Sequence, residues 1–197
     1  MPKIIDNVSE LILMTAKDLL LERGYQGLNM RIVAKRSHIG IGTIYNYYES
    51  KEVLVASIML VDWKQSLDNI EKKVINASNM RQVLYGVYSE ILEFYQIYQP
   101  TWKGYEFSRY STYSFQERHQ LLRKQLANFI QKGLDRLTSE ANDYLATYLA
   151  GDILQMCIYT DFEYEKIVDI WRRVIGVNTF DWTSDSAMEM NEESGGE

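Results

Sequence analysis

Gly42, Thr43, Tyr45, Asn46 and Tyr47 stand within one short run of the chain, and Lys51 follows four residues later. Hydroxyl and carboxamide groups at this density suit hydrogen bonds to phosphate oxygens and base edges, and the methyl of Thr43 can touch a thymine. A helix placing Ile44 inward advances about 100° per residue, so Tyr48 falls about 40° away and also points inward. On the same wheel Gly42 lies at about 160° and Asn46 at about 200°, both outward, with Thr43 and Tyr45 flanking them. A glycine on that face lets the backbone approach a duplex closely. Lys51, at the start of a following helix, adds a cation beside free N–H groups that also favour phosphate.

Other chemistries find little support. The two histidines, His38 and His119, lie far apart, and Cys157 is the one cysteine. No acidic cluster stands at ligand spacing, so neither a metal site nor a catalytic group is expected, and no cofactor is implied. Gly40-Ile41-Gly42 lacks the preceding strand and third glycine of a nucleotide loop. No nucleophile elbow is present. The sequence therefore does not read as an enzyme.

Charge points the same way once its distribution is considered. The net charge of −6 argues against nucleic acid, but Asp181 to Glu197 holds six acidic residues and no basic one. From Arg23 to Lys51 there are five basic residues (Arg23, Arg31, Lys35, Arg36, Lys51) against Glu49 alone. Phosphate contacts act locally under salt screening, so this local excess is the relevant quantity.

The elements that must position these groups are helical. With 2 prolines and 11 glycines in 197 residues, breakers are too few for a turn-rich β architecture. The spacing of Ile5, Val8, Ile12, Ala16, Leu19 and Leu20 predicts a first helix from about Ile4 to Arg23, with Gly24 as its C-cap. Asn29 is a competent N-cap for a second helix ending near Ser37, followed by a turn at His38. A third helix runs from about Gly40 to Tyr47, and Ser50 caps a fourth from Lys51 to about Ile70 or a little beyond. Further periodic segments cover Met80–Gln99, Gln116–Leu137, Asn142–Thr160 and Phe162–Val177, with Pro100 expected to stop the first of them. A short aromatic segment, Trp102–Phe115, follows that proline. The fold class is thus all-α. The expected organisation is a helix-turn-helix head over residues 1–48, a larger helical domain over 49–180, and an acidic, disordered tail over 181–197. No apolar stretch of 18 residues predicts a membrane span, and the reducing cytoplasm suits a chain with no disulfide.

Gly24-Tyr25-Gln26-Gly27-Leu28, then Val33-Ala34, then Gly42-Thr43-Ile44-Tyr45-Asn46-Tyr47-Tyr48-Glu49-Ser50-Lys51-Glu52-Val53-Leu54 resemble the DNA-binding domain of TetR-family transcriptional regulators. The resemblance covers roughly residues 5 to 60. It implies that the third helix reads the major groove, with DNA contacts from Gly42, Thr43, Tyr45, Asn46, Tyr47 and Lys51, and from Asn29 and Met30 at the start of helix two. Arg31 joins them as a cation beside that start. The chain departs from the family pattern at His38, usually glycine, and at Gly40 and Ile41, commonly serine and then often lysine. It also carries Tyr48 where the family has phenylalanine.

The resemblance further implies a homodimer on a palindromic double-stranded operator, acting as a repressor released by a small-molecule effector of unknown identity. A second reading is a helical coactivator or adaptor whose degenerate head acts through protein contacts. Tyr95, Tyr98, Trp102, Tyr105, Phe107 and Tyr110 suit an apolar ligand pocket, though core packing explains them equally well. Tyr148, Leu149, Ile153 and Met156, with Ile167, Ile170, Trp171 and Val174, form stripes on the last two helices. They either bury against their own domain or, as in the family, pack across a two-fold axis. Gly151, in mid-helix there, would allow a close approach.

Overall fold

Local chemistry sets the helix boundaries at the start of the chain. The computed structural model describes residues 7–104, 112–138, 143–158, 163–176 and 182. Its first helix, α1 (Val8–Gly27), is interrupted at Gly24, whose φ of 66° and ψ of 178° leave the helical region. The glycine ends the regular helix where the sequence places its C-cap, and a last turn, Tyr25–Gly27, re-forms beyond it. In α2 (Met30–Ser37) the Asn29 side chain accepts from the Arg31 N–H at 2.8 Å, the expected N-cap bond. His38 closes α2 in the left-handed region at φ 56°, which lets the Ile39 N–H reach the Ala34 carbonyl at 3.0 Å. α3 (Ile41–Tyr47) follows at once. Ser50 then caps α4 (Lys51–Asn76), its hydroxyl accepting from the Val53 N–H at 3.2 Å.

Downstream come α5 (Met80–Gly104), α6 (Thr112–Leu137), α7 (Asp143–Ile158) and α8 (Tyr164–Ile175). Among the described residues there is no strand, and no helix is long and apolar enough to cross a membrane. The all-α expectation holds. One boundary does not: α5 runs through Pro100 rather than ending before it. Proline inside a helix forfeits a backbone hydrogen bond, about 3 kcal/mol. Here buried Tyr98 and Thr101 on either side of the exposed proline ring hold the helix together.

The chain divides into two compact units, and α4 and α5 each contribute to both. The first comprises Met1–Leu67 and Glu93–Ser111. Its core joins Ile12, Ala16, Leu19 and Leu20 of α1 to Val33 and Ala34 of α2, Ile44 of α3, and Leu54, Val55 and Ile58 of α4. Tyr98 of α5 is also fully buried in it, its hydroxyl donating to Asp62 of α4 at 2.6 Å. Asp62 in turn holds Lys17 of α1 in an ion pair at 2.7 Å.

The second unit comprises Asp68–Leu92 and Thr112–Glu197. Its buried residues include Val83, Leu84 and Val87 of α5, Leu126, Ile130 and Leu134 of α6, Ile153 of α7 and Trp171 of α8. A Cβ on Gly151 would meet only Arg123 at 3.7 Å, whereas one on Gly133 would lie 2.8 Å from a Val83 methyl. Gly133 is therefore what lets α6 lie against α5. Arg136 donates to the Val74 and Ala77 carbonyls, both at 2.7 Å, and so satisfies the exposed end of α4. Trp182 falls within the segment expected to be a disordered tail, yet it is buried, and its carbonyl accepts from Arg81 at 3.3 Å. Residues 183–197 lie outside the described residues.

Gly24 gives a clean test of the backbone argument. Its φ and ψ fall in a region essentially restricted to glycine, and a Cβ there would meet nothing within 4 Å. Gly24→Ala should therefore destabilise through backbone strain alone, by about 1–3 kcal/mol. Urea unfolding should show a lower midpoint with an unchanged slope, and an unmoved midpoint would refute the assignment.

Candidate nucleic-acid interface

α3 is seven residues long and buries one of them, Ile44. Its C-cap, Tyr48, is also buried, and the Tyr48 hydroxyl lies 2.8 Å from that of Ser9 on α1. These two anchors leave the rest of the helix facing out. Gly42, Thr43 and Asn46 are exposed, and Tyr45 and Tyr47 each keep 50% of their surface open. Ile41, at the first helical position, is 40% exposed. A Cβ on Gly42 would meet nothing within 4 Å, so the fold does not require glycine there. The helical wheel placed Ile44 and Tyr48 inward and Gly42 and Asn46 outward, and the structure has that arrangement.

Tyr25 organises the start of α4. The Lys51 ammonium sits 3.9 Å from its ring centroid, and its hydroxyl donates to Glu52 at 2.8 Å. Partial burial lowers the Lys51 pKa. Glu52 is held below the usual carboxylate range by its own backbone N–H and then by Tyr25. A cation and an anion are thus fixed side by side at one helix terminus, with the lysine held rather than free to sweep.

The cations of α2 separate into two kinds. Arg31 and Lys35 are exposed and form no ion pair among the described residues. Arg36 makes a two-armed contact with Glu22 of α1, both bonds 2.6 Å, which raises the arginine pKa and lowers that of the glutamate. The local positive excess read from Arg23 onward omitted Glu22, which cancels one of its members. Met30 also needs correction as a contact residue. Its side chain is 6% exposed because it shares the inward face with Val33, Ala34 and Ser37, at i+3, i+4 and i+7. Only its backbone remains at the start of α2. Asn29 is exposed, with its side-chain oxygen engaged by the Arg31 N–H.

The aromatic group read as a ligand pocket divides. Tyr98 is core, with its hydroxyl bonded to Asp62 and its pKa raised by burial and by that carboxylate. Its ring packs in the core of the first unit and its polar atom is engaged by Asp62. Tyr95 and Trp102 are partly buried, with ring centroids 5.5 Å apart, and Trp102 also neighbours Phe94. Tyr105, Phe107 and Tyr110 lie outside the described residues.

The last helix pair divides as well. Leu149, Ile153, Met156, Ile167 and Trp171 are buried within their own unit, and the Trp171 indole donates to Asp152 at 2.8 Å. They offer no surface for a second copy. Tyr148, Ile170 and Val174 remain exposed, as do Tyr144 (86%) and Ile158. The stripes have two flanks, and periodicity marks the apolar positions without saying which flank meets which core. Cys157 is buried, and burial pushes its thiol pKa up to about 12, which disfavours the thiolate. Among the described residues no group of His, Cys, Asp or Glu could hold a metal ion.

Comparison with known proteins meets this geometry at the same place in the chain. The family model of bacterial regulatory proteins, tetR family, matches residues 12–58, which begin in α1 and end in α4. YhgD of Bacillus subtilis, an uncharacterized HTH-type transcriptional regulator, is 30% identical over 164 residues, covering 80% of this chain and 84% of that protein. UidR of Escherichia coli, an HTH-type transcriptional regulator, is 30% identical over 63 residues, 32% of each chain. A transcriptional regulator from Cytophaga hutchinsonii shares the fold with a TM-score of 0.63 at 17% identity, over 90% of this chain and 88% of that one. One from Aquifex aeolicus does so with a TM-score of 0.54 at 19% identity, over 84% and 96%. With α3 held outward by two anchors, and with a relative matched over most of both chains, the protein belongs to the TetR family of helix-turn-helix, DNA-binding transcriptional regulators.

Proposed function

We propose that the chain acts as a homodimeric repressor in the cytoplasm, binding a palindromic operator and leaving it when a small molecule occupies the larger helical domain over residues 49–180. The observation that carries the reading is α3 itself. A seven-residue helix that buries Ile44 and exposes every other side chain contributes little to a core and much to a surface. Gly42, Thr43, Tyr45 and Asn46 would face base edges or phosphates, and Tyr47, Lys51, Arg31 and the start of α2 at Asn29 would position the head on the backbone. In a two-fold dimer the two heads reach successive major-groove turns about 34–36 Å apart.

Dimerisation rests on the exposed apolar side chains of α7 and α8. Tyr144, Tyr148 and Ile158 on one helix and Ile170 and Val174 on the other are exposed, and a second copy would cover them as a four-helix arrangement. Release by an effector rests on α4. Lys51 opens that helix, and Asp62, further along it, is tied to Lys17 and Tyr98. A ligand that shifts α4 would move Lys51 and the head together. Allosteric couplings of about 1–3 kcal/mol lower affinity roughly 5- to 150-fold.

Two measurements test the reading. Duplexes selected from the source genome should contain an enriched palindrome, and Tyr45→Ala and Lys51→Ala should bind it more weakly while remaining dimers. Each dimer loses two phosphate contacts in Lys51→Ala, so the slope of log affinity against log salt should fall by about 2. Gly42→Ala should keep or slightly raise thermal stability, since the site is open and alanine is the better helix former, yet lose operator affinity. Unchanged gel-shift affinity in all three variants would overturn the contact assignment, and absence of any enriched palindrome would favour the adaptor reading. Separately, Tyr148→Glu and Val174→Glu change exposed positions, so the fold should survive while sedimentation shows monomers. A persistent dimer in both would place the interface elsewhere.

A further inference from the structure

The outward face of α3 has a property that the DNA-binding assignment does not use: from Gly40 to Tyr48 there is no charged residue. In the major groove guanine is read most often by arginine or lysine on O6 and N7, and the cytosine amino group by aspartate or glutamate. α3 has none of these. The nearby cations are committed or stand on other elements: Lys51 is held over Tyr25, Arg36 is paired with Glu22, and Arg31 and Lys35 are on α2. What α3 does present is a carboxamide and aliphatic carbon. Asn46 is exposed near the middle of the outward face, and a carboxamide matches the N6 and N7 edge of adenine with two hydrogen bonds. Ile41 is 40% exposed at the first helical position, the end of a reading helix that meets base edges. It stands one turn before Tyr45. The core of the first unit is complete without Ile41, so packing does not account for an aliphatic side chain there.

We propose that α3 selects A·T pairs, with Asn46 bonded to an adenine and Ile41 packed on the C5-methyl of a thymine. This rests on the DNA-binding reading and goes further, naming the bases and the residue that reads each. Ile41 becomes a specificity determinant: an uncharged aliphatic group gains contact with a methyl and gains nothing from a bare cytosine edge.

The test begins with duplexes selected from random-sequence DNA by the full-length protein. The positions under α3 in each half-site should be A·T pairs. Replacing thymine by uracil at those positions removes only the methyl group. One such position should weaken wild-type binding about three- to fivefold and leave Ile41→Ala, already weakened, unchanged. Replacing adenine by 7-deazaadenine removes the N7 acceptor and should weaken the wild type while leaving Asn46→Ala unchanged. Asn46→Ala itself should lose roughly 5- to 150-fold on the selected duplex. Both side chains are exposed, and affinity for non-selected DNA checks that each variant retains its fold. G·C pairs under α3, or uracil substitution felt equally by the wild type and Ile41→Ala, overturn the inference and leave DNA binding standing. No enriched duplex at all removes the DNA-binding reading and this one with it.

Discussion

The helix α3 depends on one buried side chain. Isolated helices shorter than about 12–15 residues are marginal in water, and α3 has seven. It exists because Ile44 is driven into the core of α1, α2 and α4, a burial of about 1.5–3 kcal/mol. Tyr48 and Ser9 then fix the direction in which the chain leaves. A longer helix could bury more and hold itself, but it would also turn more of its surface inward. Stability borrowed from neighbours is what leaves six of the seven residues of α3 exposed.

That arrangement limits where charge can stand. With no charged residue on α3, non-specific attraction to phosphate must come from its neighbours, and the structure leaves few. Glu22 removes Arg36 from the set, and Tyr25 holds Lys51 at one place. The second of these is the more consequential. A lysine side chain carries considerable rotamer entropy, and holding it over an aromatic ring spends part of that entropy before any phosphate arrives. Affinity then depends more on geometry than on total positive charge, which suits a protein whose net charge is −6.

Much of the first unit was legible in the sequence because its signals are local. Gly24, Asn29, His38 and Ser50 act within a few residues of themselves, and each occurs in the conformation or cap its chemistry requires. The inward and outward faces of α3 followed from Ile44 and a 100° step. What was not legible depends on partners distant in the chain. Met30 looks like a surface residue at a helix start until Val33 and Ala34 show which way its face turns. Pro100 carries a strong local stop signal that Tyr98 and Thr101 override by packing. Leu149 and Val174 belong to equally apolar stripes, and only the fold distinguishes the buried residue from the exposed one.

Lys17, Asp62 and Tyr98 fix how α4 is held in the first unit. A polar cluster in an otherwise apolar unit adds little net stability over well-packed hydrocarbon, because each charged group must first lose water. Its effect is directional. A hydrocarbon contact tolerates a slide of an ångström, whereas the 2.6 Å bond from Tyr98 and the 2.7 Å ion pair from Lys17 do not. Asp62 therefore gives α4 a defined position against α1 and α5 in the first unit. Lys51 stands three turns earlier on the same helix, so a defined Asp62 also defines where that cation stands. For the proposed release by an effector, a contact with a sharp distance dependence is an advantage. Small displacements of α4 would then separate two states, where a greasy interface would allow a continuum.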